Sequence, residues 1–135
     1  MFTVGRVQDE IRQRVAARLG QGVLVRYLLP LEEVQQWEAA YVLDPPPGAY
    51  DRDRRADSAV ENYIVPIFVV VYRPGDAPEV ARDRRTEIIE AIEEVLGEDV
   101  TCRMAVGGVP AIEAVAYQNG YRLTALIQVA VNERS

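Results

Sequence analysis

The dipeptide Asn119-Gly120 is the feature that most restricts how this chain folds. It separates two segments rich in apolar residues, and Asn-Gly is a favoured pair for a two-residue type I′ turn, whose central residues both need positive φ. The turn predicts four cross-strand pairs on one mostly apolar face: Gln118 with Tyr121, Ala116 with Leu123, Ala114 with Ala125, and Ile112 with Ile127. The opposite face is more polar and suits solvent or a polar partner. A closing β-hairpin is therefore expected.

The segment from Val60 to Tyr72 contains the most apolar strand of the chain. Pro66 cannot donate a ladder hydrogen bond, so it predicts an edge or a bulge, or a regular strand that starts near Ile67. From Ile67 to Tyr72 both faces of the strand are apolar. We expect one face to pack on helices and the other to be covered by something else, such as a neighbouring chain.

Two helices are predicted from periodicity and end signals. Thr3 is a candidate cap for a helix that runs to about Leu19 and is followed by glycines. Asp76 is a candidate cap for a second helix, which has Pro78 in its first turn and runs to Leu96. Its apolar face is broad, so this helix should pack on a sheet.

The other segments are assigned from composition and turn residues. Val23–Leu29 and Val100–Val106 predict strands, residues 31–41 a short helix, and 44–58 an extended loop that contains three successive prolines. The expected fold class is α+β: a single domain over 1–135, with an antiparallel or mixed sheet of about five strands, two main helices on one face, and a long loop between the first and second strands.

The residue types that are missing exclude much enzyme chemistry. The chain has no histidine and one cysteine, Cys102, which predicts no zinc site and no Ser-His or Cys-His nucleophile. Carboxylate chemistry stays open, for example with Glu61 and Glu113, but no spacing selects that pair. Cys102 is expected to be inert core. We therefore expect no enzyme, no cofactor and no metal.

Charge and hydropathy narrow the partners. The formal net charge of −6 argues against general binding of a phosphate backbone. No run of about twenty apolar residues is present, so no membrane span is expected. The first residues also lack the pattern of a signal peptide.

An acidic ridge is predicted on the second helix, because four carboxylates recur at helical spacing: Asp83, Glu87, Glu90 and Glu94. The ordinary interpretation is a solvated face. The alternatives are a docking ridge for a basic surface and a negative wall along a channel that carries DNA. The first helix carries Arg6, Arg12, Arg14 and Arg18, so a head-to-tail ring could set it near the ridge of the next copy.

The long loop supplies the other candidate contacts. Tyr50 precedes the charged run 51–55, whose arginines are Arg52, Arg54 and Arg55. Such a run is commonly a mobile solvated tip, and the alternative is an electrostatic clamp on a partner. Trp37 is either an interface anchor or a core residue under the loop.

The order of these elements resembles the tail-terminator and tail-completion proteins of tailed bacteriophages and related prophage particles. Three stretches carry the resemblance: the helix start Val7-Gln8-Asp9-Glu10-Ile11-Arg12 with the turn and strand at 22–25, the strand at 63–72 leading into the helix from Pro78, and the closing strand at 120–129. The resemblance covers most of the chain except 30–61. It implies a ring, commonly a hexamer, that caps the tail tube and presents a surface to the head connector.

The resemblance leads to one expected function and two alternatives. We expect a structural protein of the virion tail, assembled in the bacterial host cytoplasm, with itself, the tail-tube protein and head-tail connector proteins as partners. DNA would pass through the ring without specific binding. The alternatives are another head-to-tail joining (neck) protein, and a regulatory α+β domain that binds a small molecule between helices and sheet.

Overall fold

The structure is a computed structural model that describes residues 2–30, 37–55, 58–98, 103–108 and 110–134, without the side chains of 54, 55 and 58. Within these residues the chain forms two helices and seven strands. In chain order they are α1 (Val4–Leu19), β1 (Leu24–Tyr27), β2 (Glu38–Val42), β3 (Tyr50–Arg55), β4 (Ser58–Pro74), α2 (Pro78–Leu96), β5 (Arg103–Val106), β6 (Ala111–Tyr117) and β7 (Gly120–Arg134).

Two long strands form the centre of a mixed sheet. β4 has 17 residues and β7 has 15, and they pair antiparallel from Val60↔Arg134 to Pro74↔Gly120. Short strands flank this pair: β2 and β3 lie beside β4, and β5 and β6 lie beside β7. β1 adds to β2 in parallel. The predicted α+β class with a mixed sheet is confirmed, with more strands than expected.

The helices cover one face of the sheet, as predicted. Alternate residues of β4 are fully buried on this face, among them Val65, Ile67 and Val69. They share a core cluster with Ile11 of α1 and Ile88 of α2. Side chains alternate across a strand, so this helix-covered face takes the odd-numbered residues of both long strands.

The closing hairpin is present, but its turn lies one residue earlier than predicted. The positive-φ residues are Gln118 (φ 44°) and Asn119 (φ 64°), and Tyr117 pairs with Gly120. Ala114 therefore faces Leu123 instead of Ala125. The partners move by two residues, so each side chain keeps its predicted face.

The reason for the shift lies in Gly120, which meets the end of β4. A Cβ atom at this position would lie 2.2 Å from the Arg73 carbonyl oxygen and 2.6 Å from Pro74 Cα. The glycine is needed for this close approach between strands, and Asn119 takes the turn position. The Gly75 amide then donates to the Asn119 carbonyl at 2.9 Å.

Pro66 lies inside β4, at a gap between the two strands that flank β4 on one side, so that side of the strand is locally an edge. Its carbonyl accepts from the Leu43 amide at 2.8 Å, where β2 has ended and β3 has not begun. N–H and C=O of one strand residue point to the same side. The donor that proline lacks would thus point at the segment connecting β2 to β3, and the ladder to β7 is unaffected.

The predicted extended loop over 44–58 is wrong for its second part, because Tyr50–Arg55 is a strand. β3 pairs antiparallel with β4 from Tyr50↔Tyr63 to Arg55↔Ser58. Charges dominate its sequence, so it lacks the apolar alternation that marks a strand. Pairing with β4 satisfies its backbone and sets Arg52 opposite Glu61.

The short helix predicted over 31–41 is wrong where the structure can test it, since Glu38–Val42 is strand β2 and 31–36 lie outside the described residues. All five β2 residues are buried between β1 and β4. Tertiary packing here overrides the helix preference of its alanines. β1 is shorter than predicted, and residues 100–102 of the predicted strand Val100–Val106, Cys102 among them, lie outside the described residues.

Both helices end at the predicted residues, Leu19 and Leu96, but neither predicted side-chain cap forms. Thr3 and Ala77 occupy the N-cap positions without a side-chain cap hydrogen bond, so Asp76 is not the cap of α2. Pro78 begins α2, where its missing N–H costs nothing. No described helix is both long and apolar enough to cross a membrane.

Candidate interaction surfaces

The Glu61 cluster, formed by Thr3, Tyr50, Glu61 and Tyr63, fixes the chain before α1 to the sheet. The Glu61 side chain is fully buried. The Thr3 amide donates to both of its oxygens, at 3.2 Å and 2.9 Å, and the Tyr50 hydroxyl donates to Oε1 at 2.6 Å. The Thr3 hydroxyl also lies 3.0 Å from that of Tyr63, which explains why it does not cap α1.

Electrostatics keep the Glu61 carboxyl ionised. Burial opposes its charge, but the hydrogen bonds from Tyr50 and Thr3 outweigh burial, so the pKa of Glu61 is lowered. Burial and the Glu61 carboxylate together raise the pKa of Tyr50 to about 12. Tyr50 was predicted to contact a partner; its hydroxyl is engaged inside the chain, and contact with a partner stays a prediction. Glu61 and Glu113, the example of a carboxylate pair that no spacing selected, are not brought together.

The distance between those two carboxylates follows from the register. Glu113 faces Thr124, which faces Val70 of β4, while Glu61 lies at position 61 of the same strand. At about 3.3 Å per residue the offset from 61 to 70 corresponds to about 30 Å. No shared chemistry is possible over that distance.

Arg52 is the arginine of β3 whose side chain can be placed. Its guanidinium carbon lies 4.7 Å from the centroid of the Phe2 ring, which is 66% exposed. Arg54 and Arg55 pair with Ala59 and Ser58 through the backbone, and their side chains lie outside the described part. An aromatic ring and a cation therefore meet at the surface above the Glu61 cluster.

The Glu38 cluster, formed by Glu38, Arg73 and Arg84, joins β2, β4 and α2. Glu38 is 7% exposed, and its Oε2 accepts from Arg73 at 2.5 Å and from Arg84 at 2.8 Å. Burial opposes the charge, but both arginines outweigh it, so the pKa of Glu38 is lowered. The Arg73 guanidinium carbon also lies 5.6 Å from the centroid of the Trp37 ring.

Trp37 is a surface residue. Its side chain is 56% exposed, so the core alternative is wrong and the interface alternative stays a prediction. Its carbonyl accepts from the Tyr72 amide at 2.7 Å, which fixes the backbone beneath the exposed ring. Because the backbone is held, less conformational entropy remains to be lost if a partner covers the ring.

The acidic ridge exists as a surface, and α1 of the same chain reaches one end of it. Asp83, Glu87, Glu90 and Glu94 are all exposed. Arg18 pairs with Glu94 at 2.9 Å, Arg84 with Glu87 at 3.0 Å, and Arg82 with Asp83 at 3.1 Å. Within the described residues, no ion pair involves Glu90.

The predicted basic residues at the start of α1 also pair within the chain. Arg6 lies 3.3 Å from Glu133 of β7, and Arg12 lies 4.0 Å from Asp9. These arginine side chains are 50% and 37% exposed. Pairs of this kind contribute little to stability, and both arginines remain accessible to a partner.

Sequence reasoning missed one buried cation, Arg85 of α2. The residue is 7% exposed, and its NH1 donates to the carbonyls of Glu113 at 3.0 Å and Thr124 at 3.1 Å. Burial lowers the pKa of Arg85. The guanidinium therefore joins α2 to both strands of the closing hairpin. Its place on the apolar face of α2 was the available signal.

Strand β6 was not predicted to be a contact surface, yet it is the most exposed apolar strand. Six of its seven residues are exposed, and Ile112 and Val115, on opposite faces, are 61% and 40% exposed. The signal was present in the sequence as an apolar strand with a single charge, Glu113. Exposed apolar edges of this kind mark interaction sites.

The fold and these surfaces define a class: an α+β protein with two helices against one face of a mixed sheet and apolar residues exposed at the sheet edges. Within the part of the chain that the structure describes, no group of three or more His, Cys, Asp or Glu residues is placed to hold a metal ion.

Comparison with known proteins finds similarity at the level of structure. No family model and no curated protein matches the sequence. A chain from a solved structure described as "Virion of native gene transfer agent (GTA) particle" is similar to this protein, with a TM-score of 0.54 and 16% sequence identity. The similarity covers 98% of this chain and 100% of that chain. At this identity it establishes a shared fold.

Proposed function

We propose that the protein is a structural component of a phage-like virion, where it forms a ring that ends the tail tube and joins the tail to the head. The similarity to a chain of a gene transfer agent particle carries this proposal, since it spans both chains almost completely. A match over the full length of both chains means that no large part of either fold is left without a counterpart. The exposed apolar edge of β6 supports it, because a lone subunit would leave that edge in water.

The proposal implies a set of partners. These are further copies of the chain, commonly six in a ring of this kind, the tail-tube protein and the head-tail connector proteins. DNA passes through the lumen without specific binding, in keeping with the net charge of −6. The protein belongs to the tail or neck of the particle and assembles in the cytoplasm of the bacterial host. The role needs no catalysis and no cofactor.

The main test is the state of the purified protein, alone and mixed with the tail-tube protein. We expect light scattering to give a multiple of the 15.1 kDa subunit mass and negative-stain images to show rings. With tube protein, the rings should lie at tube ends. A protein that stays monomeric at every concentration, both alone and with tube protein, would contradict the proposal.

The acidic ridge is a second proposed contact in the ring. Glu90 lacks an ion pair within the described residues, and Glu87 shares its helix face. Reversing both charges, with Glu87→Lys and Glu90→Lys together, should weaken assembly, because a basic surface of the next copy would then meet like charge. The control is Glu79→Lys in the first turn of α2. An unchanged mass by light scattering in the double variant would remove the ridge from the interface.

A neck protein elsewhere in the head-to-tail joint is the nearest alternative function. Gene position separates the two, since a tail terminator is expected beside the tail-tube gene. Ring position in images of tube mixtures gives the same answer at the protein level.

A small-molecule site is favoured by one observation, an open pocket of about 780 Å³ near the end of α2. Its lining includes Tyr63, Leu96, Met104 and Val131. The volume is in the range of ligand sites. A ligand in this pocket would raise the melting temperature, whereas the structural role predicts no rise with metabolite mixtures.

A further inference from the structure

The edge of β6 lacks the devices that usually prevent strand-to-strand association. Natural edges are protected by lysine, proline, bulges or inward-pointing charges. The sequence of β6, Ala-Ile-Glu-Ala-Val-Ala-Tyr, contains one charge, Glu113, and no proline. Ile112 is 61% exposed. The strand is therefore suited to pair with another strand.

The backbone of β6 is already arranged for such pairing. Its turn has two residues, so Tyr117 and Gly120 are the hydrogen-bonded pair next to it. Alternate residues of an antiparallel strand direct their N–H and C=O groups to opposite sides. The groups of Ile112, Ala114 and Ala116 thus point away from β7. The bonds from Arg85 hold the strand in place, which lowers the entropic cost of pairing.

The opposite edge of the sheet carries exposed apolar residues of its own. β1 is the first strand in the sheet order, on the far side of the β4–β7 pair from β6. At its end Tyr27, Leu28 and Leu29 are 43%, 40% and 50% exposed. Arg26 is exposed as well. This edge offers both apolar contact and a positive charge.

Charges at the two edges lie on the same face. Arg26 is level with Tyr41 and Phe68, and Glu113 is level with Thr124 and Val70. The even-numbered β4 residues mark the face away from the helices, so both side chains project from it. Within the described residues, neither Arg26 nor Glu113 has an ion-pair partner. Continuing the sheet from one copy to the next would place the two opposite charges on one surface.

Strand directions agree with this arrangement. β4 and β6 are both antiparallel to β7, so they run the same way. β2 is antiparallel to β4, and β1 is parallel to β2, so β1 runs against β6. Two copies in the same orientation therefore bring β6 of one against β1 of the other as an antiparallel pair, the better ladder geometry.

We propose that β6 of one copy pairs antiparallel with β1 of the next, so that the sheet continues between subunits with Arg26 and Glu113 as a cross-strand pair. The occupant of each edge is a second copy of this chain. Such a contact is head-to-tail, and it closes into a ring when the rotation between copies allows. The closure into a ring rests on the proposed function, whereas the strand pairing rests on the edges themselves.

The first test uses Ala114→Pro with Ala114→Val as its matched control. Proline at 114 removes an N–H that points outward, so the β6–β7 ladder stays intact while pairing with a second copy is blocked. We expect assembly of Ala114→Pro to require at least about tenfold more protein, a change of about 1.4 kcal/mol. Ala114→Val should assemble like the wild type. Circular dichroism melting of both variants checks that the monomer is folded.

The second test exchanges the two charges and does not depend on how well the proline variant folds. Arg26→Glu and Glu113→Arg should each weaken assembly by about fivefold per interface, because like charges then face each other across the strands. Assembly should recover in the double variant that combines Arg26→Glu with Glu113→Arg. Single effects without recovery in the double variant would overturn the pairing of these two residues.

The outcomes separate this inference from the proposed function. Rings that form equally in wild type, Ala114→Pro and both charge variants overturn the strand pairing and leave the virion role standing. A wild-type protein that is monomeric alone and with tube protein overturns both. Loss of rings in Ala114→Pro, with rescue in the charge exchange, supports the pairing.

Discussion

Strands β3 and β6 occupy corresponding places beside the two long strands, yet their compositions are reversed. β3, beside β4, is Tyr-Asp-Arg-Asp-Arg-Arg, and β6, beside β7, has a single charge. The charged strand is tied to a buried carboxylate through the Tyr50 hydroxyl, and the apolar strand is exposed. The composition of an edge strand thus indicates whether that strand stays unpaired or is suited to pair with a further strand. Charge protects an edge that must stay single, and its absence permits pairing.

Each of these strands is anchored inside the chain. For β6 the anchor is Gly120, which brings the hairpin against the end of β4, together with Arg85 beneath it. For β3 the anchor is Glu61 with its hydroxyl and amide donors. Removing the anchors one at a time shows whether the two flanks depend on their anchors to the same degree.

The largest effect is expected for Gly120→Ala. The added Cβ would lie 2.2 Å from the Arg73 carbonyl oxygen, so backbone must move, at a cost of about 3 kcal/mol or more. Urea unfolding measures the change. Gly22→Ala is the control, since a Cβ there meets nothing within 4 Å. If Gly120→Ala were as stable as the wild type, the close approach to Arg73 would be contradicted. The result would then favour the predicted register, with positions 119 and 120 at the turn.

Glu61→Ala should be nearly as damaging to the β3 flank. The change leaves the Thr3 amide and the Tyr50 hydroxyl without an acceptor in a buried place, which costs about 2 to 3 kcal/mol in the free energy of unfolding. Glu113→Ala, the same change on an exposed strand, should cost less than about 0.5 kcal/mol. Equal costs at the two sites would show that the hydrogen bonds accepted by Glu61 contribute nothing to stability.

Lowering the pH should destabilise the β3 flank. The folded-state pKa of Glu61 is below its ordinary value of 4.5, so the unfolded chain takes up the proton first as the pH falls. The stabilisation that ionised Glu61 contributes is fully present above pH 4.5, and it is lost as the pH drops through the folded-state pKa of Glu61. Unfolding midpoints at pH 7 and pH 3 measure it. Glu61→Gln should flatten this dependence.

Tyr50→Phe is the mildest of these changes. It removes one hydroxyl donor to Glu61 and keeps the ring stacked on Tyr63, so the expected loss is about 1 kcal/mol in the free energy of unfolding. Tyr121→Phe serves as the control. Removing the donor should also move the acid transition of Glu61 toward higher pH. An unchanged acid transition would mean that the Tyr50 hydroxyl does not contribute to lowering the pKa of Glu61.

Much of the fold could be predicted because its signals are local. The helix ends at Leu19 and Leu96, the apolar β4 and the closing hairpin are encoded within a few neighbouring residues. The turn register could not be predicted, because the approach of Gly120 to Arg73 joins positions far apart in the chain. β3 was missed for the same reason: its pairing with β4, and not its own pattern, makes it a strand.

The candidate contacts show the same division. The exposure of the acidic ridge follows from helical spacing. Trp37 is exposed, which fits the interface alternative and not the core alternative. The engagement of Tyr50 by Glu61 depends on a buried carboxylate from the neighbouring strand, which spacing alone does not indicate. Arg85 and β6 were missed because their roles arise only when α2 lies over the hairpin.

The length of the β4–β7 pair has a mechanical consequence. Its 17-residue strand spans about 55 Å at the usual rise per residue. The interstrand bonds are perpendicular to the strands, so a pull along their axis is shared by the whole ladder and is not concentrated on one rung at a time. A subunit whose strands lie along the direction of tension would therefore resist stretching, and the flanking strands would bear little of the load.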